Sequence, residues 1–145
     1  MKTFLNYIIT GFILFLAPIQ GLLIAVGIGI ALDTFTGVFK SIKLNGLKSI
    51  RSRKLSNVIS KMLLYQVTLI LLYIIDKYLL NELIHPHFNI QFMFTKLAAI
   101  LLLFIELTSI KENIEEAMNV DLWKMIKNLL KRAKELKSDI NEVKQ

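Results

Sequence analysis

Six polar residues stand inside long apolar stretches of this 145-residue chain: Asp33, Gln66, Asp76, Lys77, Lys96 and Glu106. An ionisable group deep in hydrocarbon costs about 2.5–3.5 kcal/mol on insertion scales, so it normally faces a partner or water. Asp33 lies 14 residues past Ile19 and Glu106 lies 14 past Phe92. Helices starting at those two points bring both carboxylates to a similar depth. Two uses fit the pair. The carboxylates could line a water-filled opening made when several chains assemble. Alternatively they hydrogen-bond to Thr34, Thr36 or Gln66 on neighbouring helices, or snorkel to the interface, which is the use expected in a resting monomer. Further along, Asp76 stands ten residues before Pro86 and Lys96 ten after it. An antiparallel hairpin turning at Pro86 would set them at one height, about 15 Å from the turn. The expectation is an Asp76–Lys96 ion pair, with Lys77 rotated about 100° away and left to snorkel outward.

Other chemistry is missing. The chain has no cysteine, which excludes disulfides and thiolate metal sites. It has no glycine-rich phosphate loop, no histidine pair at ligand spacing and no serine in a nucleophile elbow, so neither an enzyme nor a bound cofactor is expected. His85 and His87 flank Pro86 with no carboxylate close in sequence, and read as a solvated turn rather than a metal or pH-sensing site.

The elements that must position these residues are apolar helices. Hydrophobic residues make up 54% of the chain and the mean hydropathy is +0.56. A soluble domain of this length would not need such uninterrupted apolar runs, which places the chain among integral membrane proteins. From Ile19 to Phe39 is roughly 31 Å of helix, enough to cross a hydrocarbon core of about 30 Å. A basic connector follows, with Lys40, Lys43, Lys48, Arg51, Arg53, Lys54 and Lys61 and no acidic residue between them. Four spans are expected, at about 3–17, 19–40, 57–84 and 90–113. The first is short and is broken from the second at Ala17–Pro18, because proline starts helices and disfavours helical geometry in its predecessor. It reads as a retained span, with a re-entrant or interfacial helix as the other possibility. Gly21, Ala25 and Gly29 recur every fourth residue and offer a smooth stripe for close helix packing. Ser56 or Asn57 is the expected cap of the third span.

Charge orients the bundle. The net charge is +7, and 15 of the 18 basic residues fall in the connector or in the tail from Lys111 onward. Base-reading motifs are absent, so anionic lipid headgroups rather than nucleic acid are the expected counterions, with Lys48, Arg51, Arg53 and Lys54 facing them. The turns at Pro18 and His85–Asn89 carry no lysine or arginine. By the positive-inside bias the N-terminus, connector and tail are then cytoplasmic. In the tail, Leu122, Ile126, Leu129, Ala133, Leu136, Ile140 and Val143 alternate spacings of four and three, the pattern of a coiled-coil seam. Trp123, Met125 and Leu130 widen that stripe. Self-association or docking on the bundle is the favoured reading of the seam, and a helix lying in the membrane interface is the other. The fold expected is thus an all-α integral membrane protein. A transmembrane bundle over 1–118, with its connector at 40–61, precedes a cytoplasmic amphipathic heptad helix over 119–145.

Two segments carry a resemblance to a known family. An apolar span enters Asp33-Thr34-Phe35-Thr36-Gly37 and is followed by a connector containing Ser52-Arg53-Lys54. Later comes Glu106-Leu107-Thr108-Ser109-Ile110-Lys111-Glu112-Asn113. The order resembles the phage holin family that also includes clostridial toxin-secretion holins, over roughly Gly21 to Asn113. Asp33, Thr34, Thr36, Gly37, Glu106, Ser109, Glu112 and Asn113 occupy the matching positions. The resemblance implies a protein that accumulates in the bacterial inner membrane, oligomerises and opens a lesion for an endolysin or a large secreted protein. The heptad tail is longer and more regular than that family's pattern suggests. A rival reading is a non-permeating anchor that recruits a soluble partner through this tail. A small transporter would show midplane charges and an internal repeat, and the sequence has no such repeat.

Overall fold

The computed structural model describes residues 1–46, 52–80 and 90–143. Lys48, Arg51 and the His85–Asn89 turn lie outside the described residues, as do the side chains of Arg53, Lys54 and Ile140. Among the described residues the chain is almost entirely helical and contains no strand. Helix α1 runs Lys2–Leu16 and gives way to a 3-10 turn, Ala17–Ile19, that holds Pro18 at its start. The expected break is therefore present. It takes the form of a tightened turn because proline lacks only an N–H that a helix start leaves unpaired anyway.

Helix α2, Gln20–Asn45, outlasts the expected span by five residues and stops at Gly46, whose φ of +75° is open chiefly to glycine. The Gly46 N–H still bonds back to the Ile42 carbonyl at 2.9 Å. Helix α3, Ser52–Ile75, begins four residues before Ser56. Much of the basic connector is thus helix end rather than loop, as fits its Leu, Lys and Arg residues and its lack of proline. One turn of π-helix, Asp76–Leu80, continues α3. Helix α4, Met93–Met118, is preceded by Phe92 and followed by Asn119, both left-handed. Helix α5, Leu122–Val143, completes the chain. Three helical stretches, Lys2–Asn45, Ser56–Leu80 and Met93–Met118, are long and apolar enough to cross a bilayer.

Packing is concentrated between α2 and α4, with α3 laid against both. Val26, Ile30, Leu69 and Ala99 form the buried apolar centre. Of the expected small-residue stripe, Gly29 makes the close approach: a Cβ there would stand 3.2 Å from Leu103 Cδ2 and 3.5 Å from Glu106 Cβ. Gly21 faces open space. The α2 face that meets α4 instead descends through Gly29, Asp33 and Gly37, where a Cβ would meet Asn113 Nδ2 at 3.4 Å. Large apolar side chains elsewhere point outward, Phe104 at 68% exposure and Phe35 at 72% among them. In water such a surface would drive aggregation, whereas in a bilayer it is the ordinary lipid-facing side of a multi-pass membrane protein.

Candidate functional site

The register of the helices brings three charges from distant parts of the chain together. Helices α2 and α4 run parallel, pairing Gly29 with Glu106, Gly37 with Asn113 and Lys40 with Glu116. Helix α3 runs antiparallel to α2, so its first apolar turns lie beside Asp33. There the Lys61 ammonium donates to Asp33 Oδ2 at 2.9 Å and to Glu106 Oε2 at 2.6 Å. Glu106 is completely buried. Its second oxygen, Oε1, is buried with no hydrogen-bond partner among the described residues. Asn113 Nδ2 donates to Asp33 Oδ1 at 3.2 Å, and approaches Thr36 Oγ1 at 3.5 Å.

Two carboxylates share one ammonium, so the ionised cluster carries a net negative charge. Lys61 Nζ occupies the position a cation bridging Asp33 and Glu106 would take, and no grouping of metal-ligating side chains occurs among the described residues. The arrangement clamps three helices; it contains no nucleophile paired with a base. Toward the connector end the cluster borders an open cavity of about 250 Å³, lined by Asp33, Gly37, Lys40, Ser109 and Asn113 among others. Lys40 and Glu116, 2.7 Å apart, close the α2–α4 contact beyond it.

The expected site residues divide clearly. Asp33 and Glu106 do stand at one depth, and Asn113, Thr36 and Gly37 join them. Ser109 lines the adjoining cavity. Thr34 bonds back to its own helix at Ile30 O, Gln66 bonds the Leu23 carbonyl, and Glu112 is exposed. Lys61 is the residue that the sequence hides, because it closes a run of connector lysines and reads as one of them. Its signal was depth: it directly precedes the apolar run Met62-Leu63-Leu64 and so enters the span with it.

A second polar layer lies toward the opposite end. Asp76, 2% exposed, accepts from the Thr95 backbone N–H at 2.7 Å and from Thr95 Oγ1 at 2.6 Å. This corrects the expected Asp76–Lys96 ion pair: no such pair forms among the described residues, and Lys96 is exposed. The cause is the start of α4. Phe92 supplies no side-chain cap, so the orphan N–H of Thr95 in the first turn is satisfied by the aspartate of the neighbouring helix. Lys96 follows one residue later and points about 100° away. Lys77 does not simply snorkel outward: its ammonium lies 4.6 Å from the Phe15 ring centroid and 5.5 Å from that of Tyr73. The Tyr73 hydroxyl donates to Phe15 O at 3.0 Å and ties the end of α1 to α3.

A family model for the bacteriophage holin family matches residues 10–135, which includes every member of the charge cluster. No curated protein and no solved structure matches the chain at a significant level.

Proposed function

Because the chain belongs to the bacteriophage holin family, we propose that it accumulates in the bacterial inner membrane, oligomerises, and opens a lesion that releases a lytic enzyme or another large protein during host lysis. The observation that carries this reading is the half-buried Lys61 ammonium bridging Asp33 and the fully buried Glu106. Apolar helix faces lose little when they exchange neighbours within a bilayer, since lipid is as apolar as the side chains it replaces. Charges are different. If α2, α3 and α4 separate, Asp33, Lys61 and Glu106 each need a new partner or water, and a water-lined opening between copies supplies it. The cluster thus holds the resting bundle together and becomes the polar lining of the assembled one.

Topology supports the same reading. The Ala17–Ile19 turn neighbours Tyr73 through Phe15, and Tyr73 stacks edge-on against Phe92 with centroids 5.0 Å apart. The Ala17–Ile19 bend and the start of α4 therefore share one end of the bundle, and the Lys40–Glu116 pair lies at the other. The lysine-rich end is cytoplasmic, and Lys48, Arg51, Arg53 and Lys54 hold it on anionic headgroups at about 1 kcal/mol each. Inducible expression in a bacterium tests the function. A lesion-forming protein stops growth abruptly and collapses the membrane potential, read with a potential-sensitive dye. A chain that only anchors a partner does neither, and that result would retire the proposal.

A further inference from the structure

Among the described residues, helix α5 leaves its apolar face uncovered. Trp123 is 60% exposed, Met125 53%, Leu129 57%, Leu130 59% and Leu136 62%. The expected docking of this helix on the bundle is therefore not what the described residues show. We propose that α5 lies along an anionic membrane surface, with its apolar arc set into the boundary between headgroups and acyl chains.

Three observations favour lipid over a second copy. The first is width. At 100° per residue the apolar residues extend from Met125 through Leu129 and Ile126 to Trp123, an arc of about 160° that also holds Lys137, whose long stem can snorkel to the headgroups. A coiled-coil seam uses only two positions in seven and carries charge on its flanks. Over the first half of α5 those flanks hold Trp123, Met125 and Leu130, which suits an interfacial helix.

The second is charge. Lys127 and Lys134 border the arc on one side and Arg132 on the other. Among the described side chains, Lys124 pairs with Asp121 at 3.5 Å and Lys131 with Glu135 at 3.9 Å. A parallel second copy would set Arg132 against Lys137, like against like, whereas anionic headgroups complement both. Lys127 holds its ammonium 6.0 Å from the Trp123 ring centroid, at the edge where a snorkelling lysine reaches headgroups.

The third is position. The 26 residues of α4 measure about 39 Å. That exceeds a hydrocarbon core of about 30 Å by roughly the depth of one headgroup layer. The chain then turns at Asn119, left-handed, and Glu115 fixes the turn by accepting from the Leu122 N–H at 3.0 Å and the Val120 N–H at 3.2 Å. Helix α5 consequently departs from the α4 axis at the level of the headgroups.

Trp123 is the single tryptophan of the chain and reports on its own arc. The full-length protein is reconstituted in phosphatidylcholine vesicles with or without phosphatidylglycerol, containing lipids brominated at shallow or deep acyl positions. Shallow bromines should quench Trp123 at least twofold more than deep ones when phosphatidylglycerol is present, and aqueous acrylamide should quench it weakly. Replacing Lys127, Arg132 and Lys134 by glutamine should weaken attachment about a hundredfold, at roughly fivefold per basic residue, and return Trp123 to acrylamide. Quenching that does not depend on phosphatidylglycerol overturns the assignment to an anionic surface. Trp123 open to acrylamide throughout overturns docking altogether. Shielding from both quenchers that grows with the protein-to-lipid ratio assigns the face to a second copy and rejects lipid.

Discussion

Lys61 holds two carboxylates, so its removal leaves Glu106 a buried charge without a counterion. Breaking one partner of a buried pair costs about 3–5 kcal/mol. We expect Lys61→Met to lower the unfolding free energy in bicelles by about that amount, and Lys61→Met with Glu106→Gln to recover much of it. A Lys61→Met protein as stable as the parent would remove the clamp from the account. Asp76 gives a contrasting case. Asp76→Ala leaves the Thr95 N–H and hydroxyl unsatisfied in the interior and should cost about 1–3 kcal/mol. Lys96→Gln should be near neutral, and exchanging the two charges should rescue nothing; a rescue in the same unfolding assay would restore the direct ion pair. These residues show what is legible in a sequence. Equal depth of Asp33 and Glu106 follows from counting along apolar runs, because rise per residue is fixed. The Asp76 partner is a backbone N–H at a helix start, and counting charged side chains does not see it.

The existence and order of the helices were readable because apolar length is a strong signal, while their ends were not. Helices α2, α3 and α4 each overrun the expected apolar limits at the connector or tail end, carried on by Leu, Lys, Glu and Ala residues that favour helix in headgroups and water alike. Stopping points are instead local backbone events, at Gly46 and Asn119. Which glycine matters was equally hidden, since Gly21 and Gly29 look alike in a four-residue stripe and only the latter meets α4. Gly29→Leu should therefore splay α2 from α4 and abolish a disulfide cross-link engineered between the two helices, with Gly21→Leu leaving it intact. Equal effects of the two would mean that the α2–α4 register is wrong. At the start of α5, the Asp121 carboxylate accepts the Lys124 N–H at 2.9 Å. That bond, with the nearby Lys124 charge, holds the Asp121 pKa below its ordinary value. A carboxylate with a depressed folded-state pKa contributes stability fully above its unfolded pKa and loses it as pH falls through the folded one. The first turn of α5 should keep its amide protection at Lys124 as pH falls to the usual aspartate range, about 3.9, and fray only below it. Fraying already at pH 6, seen by hydrogen exchange, would show that Asp121 is not the cap.

At the scale of the molecule, the helical stretch Lys2–Asn45 spans 44 residues, about 66 Å if straight, more than twice a hydrocarbon core. It cannot cross as one rod. Either it bends at Ala17–Ile19 and crosses twice, or α1 stays on the far side as an interfacial helix. Burial does not choose, since α1 buries none of its residues and leans on the bundle through Phe15. Charge favours two crossings, because Lys2 then joins the basic end, as the positive-inside bias requires. The chain lacks cysteine, so single cysteines report sidedness without background. In intact spheroplasts, Thr3→Cys, Gly46→Cys and Asn119→Cys should resist a membrane-impermeant maleimide and react after permeabilisation, while Gln91→Cys reacts from outside. Labelling of Thr3→Cys from outside, with Gly46→Cys and Asn119→Cys still protected, would reduce the spans to three. The charge cluster would be untouched by that outcome, since Asp33, Lys61 and Glu106 all lie on the helices that cross in either arrangement.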